Sequence, residues 1–353
     1  MNYDGLNGRI QMADRIAWID SCKGFAMFLV VLAHAIAWMF SDWNVITTNS
    51  PSPSWLWKFV YAFHMPLLMF ISGYLCARRH IETWGDLGRL MRKLAVGLLL
   101  PDIVMSLVRY GLFHHSSNYL IPGSCPTYWY LEVLFLLAIT LGVIDMVSQL
   151  ANLLARVCFM CFCVYFISQG VVIINSVMES FRLNMYTAML PYFIVGVVFS
   201  RCCFFESFQT ESQKKCMFGF LVFLSVMFLL GMKYRVGMAS WAGVFASIFA
   251  FRMIEGMQLL TKMFSLLGRT SIQIYLLHVF VKALMPKIGG LIGFEHFSFL
   301  LTSLRGGAII CLAYQLIVAS FLSLVIIVAC ITIARIMKCS KILSMVCFGR
   351  VMP

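Results

Sequence analysis

The run Gly24-Phe25-Ala26-Met27-Phe28-Leu29-Val30-Val31-Leu32-Ala33-His34-Ala35-Ile36-Ala37-Trp38-Met39-Phe40 decides the fold class. It is apolar except at His34. Counted from Ala17, it exceeds the roughly 20 residues that a bilayer-spanning helix needs. A charged start from Arg9 to Lys23 precedes it, as in a secretory leader. The run is too long for a leader, lacks a small-residue cleavage pattern and carries a histidine, so it reads as a retained helix.

Comparable runs recur along the chain. The length rule places about ten spanning segments, at Ala17–Phe40, Trp57–Ala77, Leu94–Phe113, Thr127–Val147, Leu153–Ile174, Tyr186–Ser200, Lys215–Gly231, Met238–Arg252, Leu266–Met285 and Ala308–Met337. The predicted fold is all-α, a polytopic transmembrane helix bundle, and residues 1–353 read as a single membrane domain. Composition agrees. Of 353 residues, 61% are hydrophobic and 12% charged, with a mean hydropathy of +0.90. A soluble domain carries about twice that charged fraction.

The net charge of +13 does not indicate nucleic acid, because the basic residues are scattered between apolar runs. With the N-terminus inside, 19 of the 27 Lys and Arg fall on inner segments. The positive-inside rule then puts both termini in the cytoplasm and the protein in the cell (inner) membrane. Most of the 13 cysteines lie within apolar runs, where they act as small hydrophobes. Cys158-x-x-Cys161 has metal-like spacing, but no second pair follows, so neither a metal site nor a disulfide framework is expected.

The chemistry is expected where polar groups enter the membrane. In the first segment ten residues separate Lys23 and His34, which puts them on one helix face about 16 Å apart along the axis. Asp20 lies close to the same face. Ionisable groups within a bilayer usually line a functional cavity, and a neutral imidazole is suited to taking a proton from a hydroxyl. Arg89 and Arg92, at i and i+3, can turn both guanidinium forks toward one phosphate-bearing ligand, although positive-inside charge alone also explains them. Pro101 interrupts the ladder in the third segment.

His64 opens Phe63-His64-Met65-Pro66-Leu67, and a hairpin of the first two segments would bring it to the depth of His34. Gly73 is expected at a close helix contact. Tyr128 and Tyr130, flanking Trp129, read as an interfacial aromatic belt. Glu132, one turn further in, does not. Tyr275 and His278, at i and i+3, share a polar face that serves either interhelical hydrogen bonding or a site.

Together these motifs resemble the acyltransferase family 3 membrane proteins, in particular the fucose 4-O-acetylase-like branch. Lys23-x10-His34, Phe63–Leu67 with Ile71-Ser72-Gly73, Arg89-x-x-Arg92, Gly97-x-x-Leu100-Pro101, Tyr128–Leu131 and Ser271–His278 carry the resemblance, in order over nearly the whole chain. It implies ten core helices and an O-acyltransferase that moves an acetyl group from cytoplasmic acetyl-CoA to a hydroxyl of a cell-surface glycan sugar. It makes His34 the essential histidine and gives Lys23 the Arg/Lys position before it. It assigns Arg89 and Arg92 to the acyl-CoA donor. Many members read Asp-x-x-Arg-Gly where this chain has Asp20-Ser21-Cys22-Lys23-Gly24.

The expected catalytic set is therefore His34, Lys23, Asp20 and Glu132. The acceptor is expected to meet His64, Trp129, Tyr275 and His278. His34 serves as general base or as acyl carrier. The expected partners are the donor, the glycan and the lipid bilayer, and a homo-oligomer is compatible with them. No extracytoplasmic esterase-like domain, such as some members carry, is expected. A transporter or flippase for a glycan or lipid-linked precursor accounts equally for many helices with buried polar groups. It leaves Arg89-x-x-Arg92 beside Lys23-x10-His34 unexplained.

Overall fold

The computed structural model describes residues 16–41, 55–79, 81–113, 128–147, 183–207, 211–234, 236–292 and 308–349. Every regular element among them is a helix. Among the described residues, six helical stretches are long and apolar enough to cross a membrane, or seven if one bent pair counts as a single span. The expected fifth span, Leu153–Ile174, lies outside the described residues, as do Cys125, Cys158 and Cys161.

Helix α1 (Ala17–Ser41) is the axis of the bundle. Its main partner is an amphipathic helix late in the chain, Gln258–Arg269, which is α10 in the numbering used here. The two meet backbone to backbone. A Cβ on Gly24 would run into the Phe264 carbonyl, and one on Gly268 into the Asp20 carbonyl. Apolar helices in lipid gain little by hiding apolar surface from each other, so close van der Waals approach and interhelical hydrogen bonds must hold them. Ser21 Oγ supplies such a bond to the Thr261 carbonyl at 3.3 Å. At the N-terminal end of α1, the Trp18 ring packs edge-on against Tyr74 and Phe205, with the Arg252 guanidinium 5.9 Å from its centroid.

The second expected span is broken. It forms α2 (Trp55–Tyr61) and α3 (His64–Cys76), separated at Ala62-Phe63. Pro66 falls in the first turn of α3, where a missing N–H costs nothing. The Ala62 carbonyl, at the break, accepts from Ser240 Oγ at 2.5 Å. Gly73 packs as expected, its Cα against the Phe193 backbone of α7 (Leu183–Arg201).

The third span begins ten residues earlier than expected. Helix α4 (Trp84–Leu94) runs through a π-helical turn, Ala95–Leu99, into α5 (Leu100–Phe113). Thr83 and Asp86 form a capping box at its start. Leu87 and Leu90 of α4 rest on Gly142 of α6 (Trp129–Val147). The π turn lies just before Pro101, which cannot donate to the preceding turn, and the Leu100 N–H reaches back to the Ala95 carbonyl.

Helices α8 (Glu211–Tyr234), α9 (Val236–Met253) and α12 (Ala308–Met337) lie where hydropathy puts them. The ninth expected span does not. It is interrupted at Thr270, where α10 ends and α11 (Ser271–Ile292) starts at 72° to it. Thr270 Oγ1 donates to the Leu266 carbonyl at 2.9 Å, and the Thr270 carbonyl takes the Ile274 N–H at 3.0 Å, so one residue closes one helix and opens the next. After α12, the short α13 (Lys341–Phe348) ends on Gly349, whose φ of +63° suits glycine. A Cβ there would strike the backbone of Val96 and Gly97, so α13 seats directly on the π turn.

Gly24→Val should lower the melting temperature of the purified protein by about 5 °C or more, since the added atoms overpack a backbone contact. Gly219→Ala, where nothing lies within 4 Å of the added Cβ, should leave it unchanged. Thermal shift with size-exclusion recovery measures both.

Candidate functional site

The 72° turn at Thr270 sends α11 up along α1, and the result is a pair of stacked imidazoles. The rings of His34 and His278 lie 5.1 Å apart at 28°. His34 is half-buried and His278 buried. His278 Nδ1 faces two backbone carbonyls of its own helix, Tyr275 at 2.7 Å and Ile274 at 3.1 Å. Carbonyls only accept, so Nδ1 carries a proton, and in the neutral ring Nε2 carries the lone pair. The imidazole stacked on His34 belongs to α11. His64 is buried at the break between α2 and α3, its Nδ1–H on the Val60 carbonyl at 2.8 Å and its ring edge-on to Tyr61.

Tyr275 lies beside the pair, its ring 5.9 Å from that of His278. Tyr130 packs against it at 5.6 Å and Tyr128 at 6.0 Å. These two tyrosines are not the interfacial belt that the sequence suggested. Tyr128 is fully buried and donates to the Leu276 carbonyl at 2.9 Å. Tyr130 is 7% exposed and shares a 2.8 Å hydrogen bond with Ser72 of α3. Interior phenols need such partners, because an unsatisfied hydroxyl away from water costs about 1–3 kcal/mol. Trp129 is half-buried beside Tyr130. Glu132 is half-buried in the first turn of α6, where a carboxylate suits the helix dipole.

The remaining candidates lie elsewhere. Lys23 is half-buried on α1, and Asp20 pairs with Arg269 at 3.7 Å across the α1–α10 crossing. Arg89 and Arg92 are exposed on α4, and Arg89 forms an ion pair with Asp86 of the capping box. The seat of α4 on α6 borders a small cavity bounded by Cys76, Arg79, Leu90 and Asp145. There Arg201 reaches both Asp145 oxygens at 2.5 Å. Among the described residues, no three His, Cys, Asp or Glu converge as a metal site.

Sequence reasoning named Ser72 only within a motif, without its bond to Tyr130, and missed the Asp145–Arg201 pair and Asp102, a carboxyl 5% exposed just beyond Pro101. An ionisable residue inside an apolar run was the available signal for Asp102.

Residues 16–335, which include every residue of this site, match a family described as an acyltransferase domain. The chain belongs to that acyltransferase family. It is 31% identical over 106 residues to the nodulation protein NolL of Sinorhizobium fredii, covering 28% of this chain and 26% of that protein. It is 33% identical over 84 residues to the inner membrane protein YcfT of Escherichia coli, covering 21% and 23%. The chain thus spans about a quarter of the length of these relatives. No solved structure matches it. A member of this acyltransferase family thus holds paired imidazoles between its first and eleventh helices.

Tyr128→Phe leaves the Leu276 carbonyl without the phenol. It should cost about 1 kcal/mol, read as a melting temperature lower by about 2–4 °C.

Proposed function

We propose that the protein is an O-acetyltransferase, taking the acetyl group of cytoplasmic acetyl-CoA and placing it on a hydroxyl of a cell-surface glycan sugar. The stacking of His34 on His278 carries this reading. Acyl transfer to a hydroxyl needs a base at the attacking oxygen, and a neutral imidazole held by its neighbours is suited to that task. His34 takes the proton as the sugar oxygen attacks the thioester carbonyl. The carbon–sulfur bond breaks, and the proton passes to the departing thiolate of coenzyme A. His278, with its lone pair fixed on Nε2, sits where it can order the acceptor or share the proton.

The donor supplies phosphates that need cations. Arg89 and Arg92 stand ready on an exposed face, with Asp86 as the counter-ion that a phosphate displaces from Arg89. Both termini lie in the cytoplasm of a cell whose inner membrane holds the protein, in keeping with the distribution of Lys and Arg. Lys23 and Asp20 mark the path from that side toward His34, with Glu132, Trp129, Tyr275 and His64 as candidates for the acceptor end.

In membrane vesicles supplied with [14C]acetyl-CoA and O-deacetylated envelope glycan, His34→Ala should reduce alkali-labile label by about 100-fold or more. Undiminished labelling excludes this mechanism. Arg89→Ala and Arg92→Ala should each raise KM for acetyl-CoA about tenfold, the loss of roughly one charge-assisted contact. Their effect on kcat should be smaller.

A further inference from the structure

Helix α10 (Gln258–Arg269) has two faces of different character. Thr261, Ser265 and Gly268 look at α1. The Thr261 carbonyl takes the hydrogen bond from Ser21, Ser265 is buried, and Gly268 rests on the Asp20 backbone. At 100° per residue these three form one narrow stripe. The opposite side carries Leu259, Met263 and Leu266, exposed to 73%, 55% and 49%. Lys262 and Arg269, both exposed, stand along one edge of that apolar arc, about two turns apart. The helix has no carboxylate of its own. Asp20 lies 3.7 Å from Arg269, whose side chain is still 54% exposed. Glu255, just before the helix, pairs with Arg252.

The placement of α10 narrows what can cover this face. A single residue, Thr270, joins it to the apolar α11, which runs at 72° to it. With α11 along the membrane normal, α10 lies closer to the membrane plane, at the end of the bundle where α1 begins. Its small-residue stripe holds it there, so it does not leave the bilayer surface. An apolar arc edged with cations is the pattern of a helix lying in the interface. The apolar side chains enter the acyl boundary, and the Lys and Arg stems extend to the headgroup phosphates. A zwitterionic headgroup offers its phosphate beside an ammonium, which repels these cations. An anionic headgroup offers the phosphate without it.

We propose that the outward face of α10 is a binding surface for anionic phospholipid. Lys262 and Arg269 meet the lipid phosphate, and Leu259, Met263 and Leu266 lie among the upper acyl carbons. The lipid covers a helix whose other face builds the α1 crossing, so it braces the contact that sets the direction of α11. This surface goes beyond the acetyl-transfer reading and does not depend on it.

The test uses the full chain reconstituted in phosphatidylcholine vesicles. These are doped with a photoactivatable phosphatidylglycerol or with the matched phosphatidylcholine, the diazirine placed high on the acyl chain. Adducts are mapped by mass spectrometry after pepsin digestion. The α10 peptide should take about threefold more label from phosphatidylglycerol, and high salt should shrink the excess. Lys262→Gln should remove about half of the excess, and Lys262→Gln with Arg269→Gln nearly all of it. Lys262→Arg should keep it. Equal labelling by the two lipids marks ordinary boundary lipid and overturns the proposal. An α10 peptide labelled by neither lipid, the result expected if a protein covers this face, overturns it as well. So does loss of the excess to inorganic phosphate at matched ionic strength, which marks a free-anion site. If the double variant is not recovered folded, Lys262→Gln decides alone, because Lys262 lies outside the Asp20–Arg269 pair. An unchanged excess in that variant overturns the proposal.

Discussion

Two helix backbones touch at Gly24 and Gly268, and the interior of the bundle is arranged around that contact. A bilayer offers helices little hydrophobic reason to associate. Contact at backbone distance, reinforced by Ser21 on Thr261, is what fixes α10 beside α1. Once α10 is fixed, its end is fixed too, and Thr270 turns the chain through 72° into α11. The direction of α11 then brings His278 to His34. Lys23 and Gly24 are neighbours in sequence but do different work. The glycine builds the crossing, and the lysine stands at the foot of the face that leads to the histidine.

Around the imidazoles, the tyrosines bind the helices to one another. Tyr128 joins the start of α6 to the backbone of α11, and Tyr130 joins α6 to α3 through Ser72. In a medium without water, each such bond would leave a costly orphan if it opened. The same bonds therefore hold both the fold and the geometry of the site. Burying Tyr128 and Tyr130 puts polar atoms inside the bundle without adding charge.

Hydropathy made α1 and α12 legible nearly to the residue, and α8 and α9 to within about a turn, because a spanning helix is defined by the length of its apolar run. It could not show the breaks. Thr270 and Phe63 interrupt apolar stretches without changing their composition, and their effect lies in a side-chain hydrogen bond and in the placement of Pro66. The azimuth of one helix against another is likewise a tertiary fact. Spacing put His34 on the face of Lys23, but not against His278. Tyr128 and Tyr130 were misread because tyrosine favours both a membrane interface and a polar partner in the interior. Asp102 was readable and was passed over beside the more conspicuous Pro101.

The π turn at Ala95–Leu99 has a geometric consequence. Its wider hydrogen bond takes in one extra residue without cutting the ladder. Everything after it is rotated by about 100° relative to an uninterrupted α-helix. The turn thus acts as a phase shifter within one continuous rod. The arginines before it face outward, while the carboxyl after it faces the bundle. With Gly349 pressed against its outer backbone, the shifter is clamped by the last helix of the chain. The two faces of the third span are thereby set independently, although they are joined covalently and share one axis.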